Sequence, residues 1–166
     1  GLYSTSALSA SAVKGLMKQY KSYGIMLGLM KIVPYSWIRK ILINASKKMV
    51  GVENEADQDR KYMEDFFEWV YQNYTKEFDI HMTTLMVSIA KIKPITEQEY
   101  KKADKNVLLV LPTDDKAFSE AAKNELITHL PNAMVTMVTG GHTATLYKVD
   151  TYVESTRKFI EEKISA

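Results

Sequence analysis

The chain has 166 residues, with 22 Lys and Arg against 20 Asp and Glu, and hence a formal net charge of +2. This length suits one domain, or a core with a small attached layer. Apolar residues make up 46% and charged residues 25%, which is the composition of a soluble globular protein. The near-balanced charge gives no reason to expect nucleic acid as a partner.

The sequence also excludes cysteine-dependent chemistry and a membrane-spanning helix. There is no cysteine, so disulfides, thiolate catalysis and cysteine-ligated metal centres are ruled out, and a cytoplasmic location is expected. The most apolar stretch, residues 24–33, carries Lys31 and is far shorter than the roughly 20 apolar residues that a membrane span needs. No signal peptide is recognisable, and nothing in the sequence predicts a bound cofactor or metal.

The first part of the chain, residues 1–94, is predicted to be helical throughout. Leu8, Ala12, Leu16 and Tyr20 recur at four-residue spacing and share one helical face. The predicted helices cover residues 7–20, 24–33, 35–50, 61–74 and 77–90, with a charged connection at 53–60. After this part, Thr96 and Glu99 have the spacing of a capping box.

The second part, residues 95–166, is predicted to alternate strands and helices. The strands are expected at 107–111 and 134–138, and the helices at 117–130 and 151–164. This order is half of a parallel α/β layer, so we predict an α/β fold. The first strand, VLLVL, is apolar enough to need a neighbour on each side, and the chain supplies one obvious neighbour. A further strand therefore has to come from elsewhere.

Asp115 and His142 are the residues most indicative of chemistry. Each follows the carboxyl end of a predicted strand, where ligands bind in open α/β sheets. A carboxylate beside an imidazole fixes its tautomer and stabilises its protonated form, as a general base requires. Taken alone, Asp115 is more simply a helix cap and His142 a loop histidine. Their placement on neighbouring strands favours a joint catalytic role.

The segment around these two residues resembles the C-terminal end of the α/β-hydrolase-fold enzymes. In LPTDD, Asp115 stands at the position of the family's triad acid, with Asp114 as the fallback. In GGHTATL, His142 stands at the position of the triad histidine. The resemblance covers residues 75–166 well, and implies that 1–94 is a helical cap with its return helix and 95–166 the last two parallel strands of the core with their helices. Pro112 departs from the family's usual glycine.

The resemblance also implies a nucleophilic serine, which this sequence does not supply. No G-x-S-x-G motif occurs, and the nucleophile elbow and the oxyanion-hole loop would precede Gly1. The early serines lack the strand–turn–helix context of an elbow; they are Ser4, Ser6, Ser9 and Ser11. We therefore predict the C-terminal portion of a serine hydrolase acting on a small ester or related acyl substrate, inactive without its upstream half.

Two other functions stay open at this point. A non-catalytic binding protein could keep Asp115 and His142 on the same scaffold. A helical interaction module could instead offer the aromatic face of residues 61–74 to a partner. The predicted partners are a small acyl substrate and either the missing N-terminal half of the core or a second copy, because an uncovered apolar strand edge invites pairing. The methionines of the first helices, such as Met17 and Met30, are expected to pack the core, with an acyl pocket as the weaker alternative.

Overall fold

A computed structural model of the chain describes residues 2–3, 5, 7–49, 57–89 and 91–165. Within these residues there are seven α-helices and three β-strands. In chain order they are β1 (Leu2–Tyr3), α1 (Ala10–Ile32), α2 (Tyr35–Met49), α3 (Asp57–Asn73), α4 (Lys76–Ile89), α5 (Glu97–Ala103), β2 (Leu108–Pro112), α6 (Glu120–His129), β3 (Met134–Val138) and α7 (Val149–Ile164).

Helix α1 replaces the two helices predicted for residues 7–33. Ser9 caps its first turn by accepting a hydrogen bond from the Ala12 N–H. Residues 21–23, which separate the two predicted helices, continue α1, and the internal Gly24 costs it only about 1 kcal/mol relative to alanine. The helix ends where Val33, the residue before Pro34, adopts an extended conformation. The predicted break between two helices at residues 21–23 is therefore wrong.

The remaining helices lie close to their predicted positions. Helices α2 and α4 are confirmed, as is the capping box of Thr96 and Glu99 at the start of α5. Helix α3 begins at Asp57, within the predicted charged connection, and residues 51–56 lie outside the described part of the chain. Helix α6 begins later than expected, because Ser119 is its cap and accepts from the Ala122 N–H.

At 23 residues, α1 has the length of a span, since about 20 residues are enough. Within the described ranges, however, no helix is both long and apolar enough to span a bilayer. The predicted absence of a membrane-spanning segment is confirmed for that part of the chain.

The described strands form one parallel sheet in the order β1–β2–β3. Leu109 of β2 lies opposite Leu2 on one side and Val135 on the other. Every residue of β2 is buried, as its apolar sequence predicts. The second neighbour that β2 needs is thus supplied by Leu2–Tyr3, which is too short to show an alternating pattern in the sequence.

The predicted fold class, a partial α/β-hydrolase fold, is wrong. Helices account for 69% of the structure and strands for 8%. The two regular strands have five residues each, and the third has two. Each strand and helix of the predicted strand–helix–strand–helix pattern is present. A hydrolase-type sheet, however, needs several more strands. The protein is mainly helical, with a small parallel sheet.

The sheet is covered by helices on both faces. One face carries Leu109 and Leu111, which pack with Leu126 and Leu130 of the α6 segment. The other carries Leu108 and Val110, and the residues packed there are Val138, Ala144 and Tyr152. Because paired residues of parallel strands point to the same side, this packing fixes the register and brings the carboxyl ends of β2 and β3 together at one edge.

Candidate active site

The segments that follow β2 and β3 are tied to each other immediately beyond the sheet. The Thr113 N–H donates to the Val138 carbonyl at 2.8 Å, and the Thr113 hydroxyl reaches the same oxygen at 3.2 Å. These bonds continue the strand pairing by one residue. Asp115 and His142 therefore start from two backbone segments that are held at a fixed separation.

Asp115 and His142 are in direct contact. The distance from His142 Nδ1 to Asp115 Oδ2 is 3.1 Å. The Asp115 side chain is 1% exposed, whereas the His142 side chain is 31% exposed. The structure thus brings together the two residues that the sequence predicts to act jointly, with the carboxylate buried behind an accessible imidazole. The catalytic role itself stays a prediction.

The second oxygen of Asp115 holds the turn that carries the residue. Oδ1 accepts hydrogen bonds from the Ala117 N–H at 2.7 Å and the Phe118 N–H at 3.2 Å. The Phe118 ring then meets the His142 imidazole edge to face, with 5.3 Å between ring centroids. Asp115 is therefore both a local cap and the partner of His142, and these contacts orient the carboxylate and the imidazole from several sides.

Asp114, the fallback for the acid, has a different role. Its Oδ1 accepts from the N–H groups of Gly140 and Gly141 at 3.0 and 2.9 Å. Both glycines have positive φ, +111° and +69°, a conformation that other residues rarely adopt. A Cβ on Gly140 would also lie 2.3 Å from the Tyr147 hydroxyl oxygen, which donates to the Gly140 carbonyl. Asp114 therefore stabilises the turn that presents His142.

Lys123 is a residue of this region whose role the sequence did not indicate. Its side chain is 1% exposed and its Nζ donates to the Pro112 carbonyl at 2.6 Å. It also pairs with Glu120 at 2.5 Å, so the buried ammonium is compensated. The lysine connects α6 to the end of β2, next to the turn that carries Asp115. A lysine in an amphipathic helix is usually solvated, so nothing in the sequence indicated that Lys123 would be buried.

The surroundings of Asp115 favour its ionised form. Burial alone would raise the pKa of this carboxyl, because it disfavours the charged state. The hydrogen bond and charge of His142, together with the backbone N–H groups of Ala117 and Phe118, outweigh burial and lower the pKa. Asp115 is consequently a carboxylate at neutral pH and can stabilise a protonated imidazole.

This lowered pKa predicts how Asp115 contributes to stability at different pH values. A carboxyl with a lower pKa in the folded state stabilises the fold above its unfolded pKa of about 3.9, and loses that contribution as pH falls through the folded pKa. Urea unfolding of the chain and of Asp115→Asn should therefore show a deficit in the variant at about pH 5 that shrinks as the pH falls below the unfolded pKa of the carboxyl. Groups that do not interact with Asp115 contribute equally to both proteins. A deficit that stayed the same from about pH 5 down to about pH 2 would contradict the assignment.

The geometry defines what the imidazole can do. A carboxylate that accepts from Nδ1–H holds the ring in the tautomer whose Nε2 carries a lone pair. Nε2 can then take a proton from a nucleophile, and Asp115 stabilises the imidazolium that forms. Among the described residues, Asp115 is the one that hydrogen-bonds the imidazole of His142.

The early serines do not complete this pair. The hydroxyls of Ser9 and Ser11 both donate to Glu125 of α6, so they lie in a different hydrogen-bonded cluster. Ser4 and Ser6 lie outside the described residues. Over the described ranges, no group of three His, Asp or Glu side chains is placed to hold a metal ion.

No family model and no curated protein matches the chain. The case for function therefore depends on the residues themselves.

Proposed function

We propose that Asp115 and His142 are the acid and the histidine of a catalytic triad in a hydrolase of small esters or related acyl compounds. The nucleophilic serine and the oxyanion donors would come from polypeptide outside these 166 residues. On this proposal the chain supplies the proton-transfer half of the active site and is inactive alone.

The observation that carries the proposal is the contact between a buried carboxylate and an accessible imidazole. The Nδ1–Oδ2 distance of 3.1 Å is within hydrogen-bonding range. Two backbone N–H groups orient the carboxylate, and Asp114 and the Gly140–Gly141 turn orient the segment of the imidazole. The resemblance of LPTDD and GGHTATL to the acid and histidine segments of serine hydrolases supports the same chemistry.

The reaction follows from the positions of the protons. The external serine hydroxyl attacks the acyl carbon while His142 Nε2 accepts its proton, giving a tetrahedral oxyanion. The intermediate collapses, the alcohol leaves with the proton from His142, and the serine is acylated. Water then attacks the acyl-enzyme by the same steps, which releases the acid and restores the serine. Asp115 stays ionised throughout.

The test combines an assay with identification of the nucleophile. The intact gene product is assayed against p-nitrophenyl esters of increasing acyl length and treated with a fluorophosphonate probe, and the labelled peptide is located by mass spectrometry. We expect ester hydrolysis and one labelled serine outside residues 1–166. The 166-residue chain alone should neither turn over ester nor react. Labelling of a serine inside this chain, or an intact product without hydrolysis or labelling, would contradict the proposal.

A further inference from the structure

The helices of the first part of the chain form a cavity of about 360 Å³ that is open to solvent on one side. Its wall is formed by parts of all four helices, and it is mainly aromatic and aliphatic. Its aromatic lining residues are Tyr23, Phe66, Phe67, Tyr71 and Tyr74. The lining does not include Met17 or Met30, of which Met30 is buried and Met17 is exposed. A volume of this size is at the lower end of those that hold small ligands.

One charged side chain, Asp79, lines this cavity. Asp79 is 5% exposed and its Oδ2 accepts a hydrogen bond from the Tyr35 hydroxyl. The Asp79 Oδ1 accepts no hydrogen bond from the described residues and is not a fully buried atom, so it can accept one from a group that enters the cavity.

The nearest cation does not neutralise Asp79 directly. The Arg39 guanidinium donates to the Tyr74 carbonyl at 3.3 Å and lies over the Tyr35 ring, 4.9 Å from its centroid. It forms no ion pair with Asp79 within the described structure and does not line the cavity. Burial raises the pKa of Asp79, although Tyr35 and Arg39 act in the opposite direction. The carboxylate is therefore desolvated and lacks a close positive charge, which is the condition a cationic ligand would relieve.

We propose that this cavity binds a small organic amine, with its ammonium group paired to Asp79 and its apolar body packed against the aromatic rings. An ammonium donates strong, charge-assisted hydrogen bonds to a carboxylate, and ring faces attract the same charge. A neutral apolar ligand would leave Asp79 Oδ1 unsatisfied, and an anion would be repelled. This site is separate from Asp115 and His142 and does not depend on the function proposed for them.

The first arm of the test uses the unmodified chain. 2-Phenylethylamine and 2-phenylethanol have nearly the same shape, but only the amine is charged at pH 7. Titration calorimetry should show that the amine binds at least about tenfold tighter than the alcohol, as expected for one charge-assisted contact. Equal affinity for the two compounds, or no binding of the amine, would overturn the proposal.

The second arm tests whether the amine binds in the cavity. Asp79→Asn keeps an acceptor for Tyr35 and should lower the affinity for the amine at least about tenfold, with little effect on the alcohol. Glu77→Gln changes the same charge at an exposed position of α4 and should leave both affinities unchanged. Val70→Phe, which narrows the cavity, should lower the affinity for both compounds. An unchanged amine affinity in Asp79→Asn, or an equal loss in Glu77→Gln, would show that the cavity carboxylate is not the binding group.

Discussion

Replacing His142 with alanine in the proposed hydrolase should lower kcat by at least about 10⁴-fold. The imidazole is the group that moves the proton in both halves of the reaction, and no other described side chain occupies its place beside Asp115. KM should change little, because the imidazole acts on the reacting atoms rather than on the body of the substrate. Steady-state kinetics with the best p-nitrophenyl ester measures both parameters.

Stability separates this catalytic effect from loss of the fold. The His142 side chain is only partly buried, and Asp115 keeps its two backbone donors in the variant. We therefore expect the free energy of unfolding to fall by roughly 1–3 kcal/mol, because the buried Asp115 Oδ2 loses its partner while the rest of the fold is kept. His81→Ala, at an exposed position of α4, is the matched control and should leave turnover unchanged. Ester hydrolysis that survived the loss of His142 would refute the assignment of the histidine.

Asp115→Asn should have the second largest effect, a loss of about 10⁴-fold in kcat. The amide oxygen can still accept from the Ala117 and Phe118 N–H groups, so the turn should be retained. The amide NH₂ would then face His142 Nδ1 and favour the tautomer whose Nε2 already carries a proton. That tautomer cannot act as the base, and the imidazolium also loses its counter-charge.

Asp114→Asn is the comparison that identifies the acid. An asparagine at this position can still accept from Gly140 and Gly141, and the charge it removes does not face His142. We expect kcat to fall by no more than about tenfold, because the imidazole and its carboxylate partner stay in place. If this variant lost as much activity as Asp115→Asn, Asp114 would be the acid and the contact at 3.1 Å would be incidental.

Helical periodicity predicted most of the elements because each amphipathic face is a local property. The helix at Tyr35–Met49 and the strand at Met134–Val138 follow closely from the sequence. The prediction of two helices failed at residues 21–23, which continue α1 instead of dividing it. Prediction from the sequence also failed for Leu2–Tyr3, since two residues cannot show a period, and for the fold class, which depends on how many strands assemble.

At the two sites, too, the local features were predictable from the sequence and the long-range contacts were not. The joint role of Asp115 and His142 was predictable from the strand ends, but the choice between two adjacent carboxylates was not, because the path of the backbone decides which one faces the histidine. Asp79 has one feature in the sequence that could have indicated a site. It lies one turn before Thr83 on the face of α4 that also carries Met82 and Met86, and a carboxylate beside an apolar stripe is unusual.

The sequence by itself determined the helices, the two apolar strands, the absence of thiol chemistry and the pairing of an acid with a histidine. These follow from side-chain chemistry and from spacing along the chain, which act over a few residues. Only the tertiary structure decided that the protein is mainly helical, that Leu2–Tyr3 completes the sheet beside β2, that Asp115 rather than Asp114 contacts His142, and that a buried carboxylate lines an aromatic cavity. Each of these features depends on contacts between segments that are distant in sequence. The geometry of such contacts is fixed only when all the helices and strands pack together.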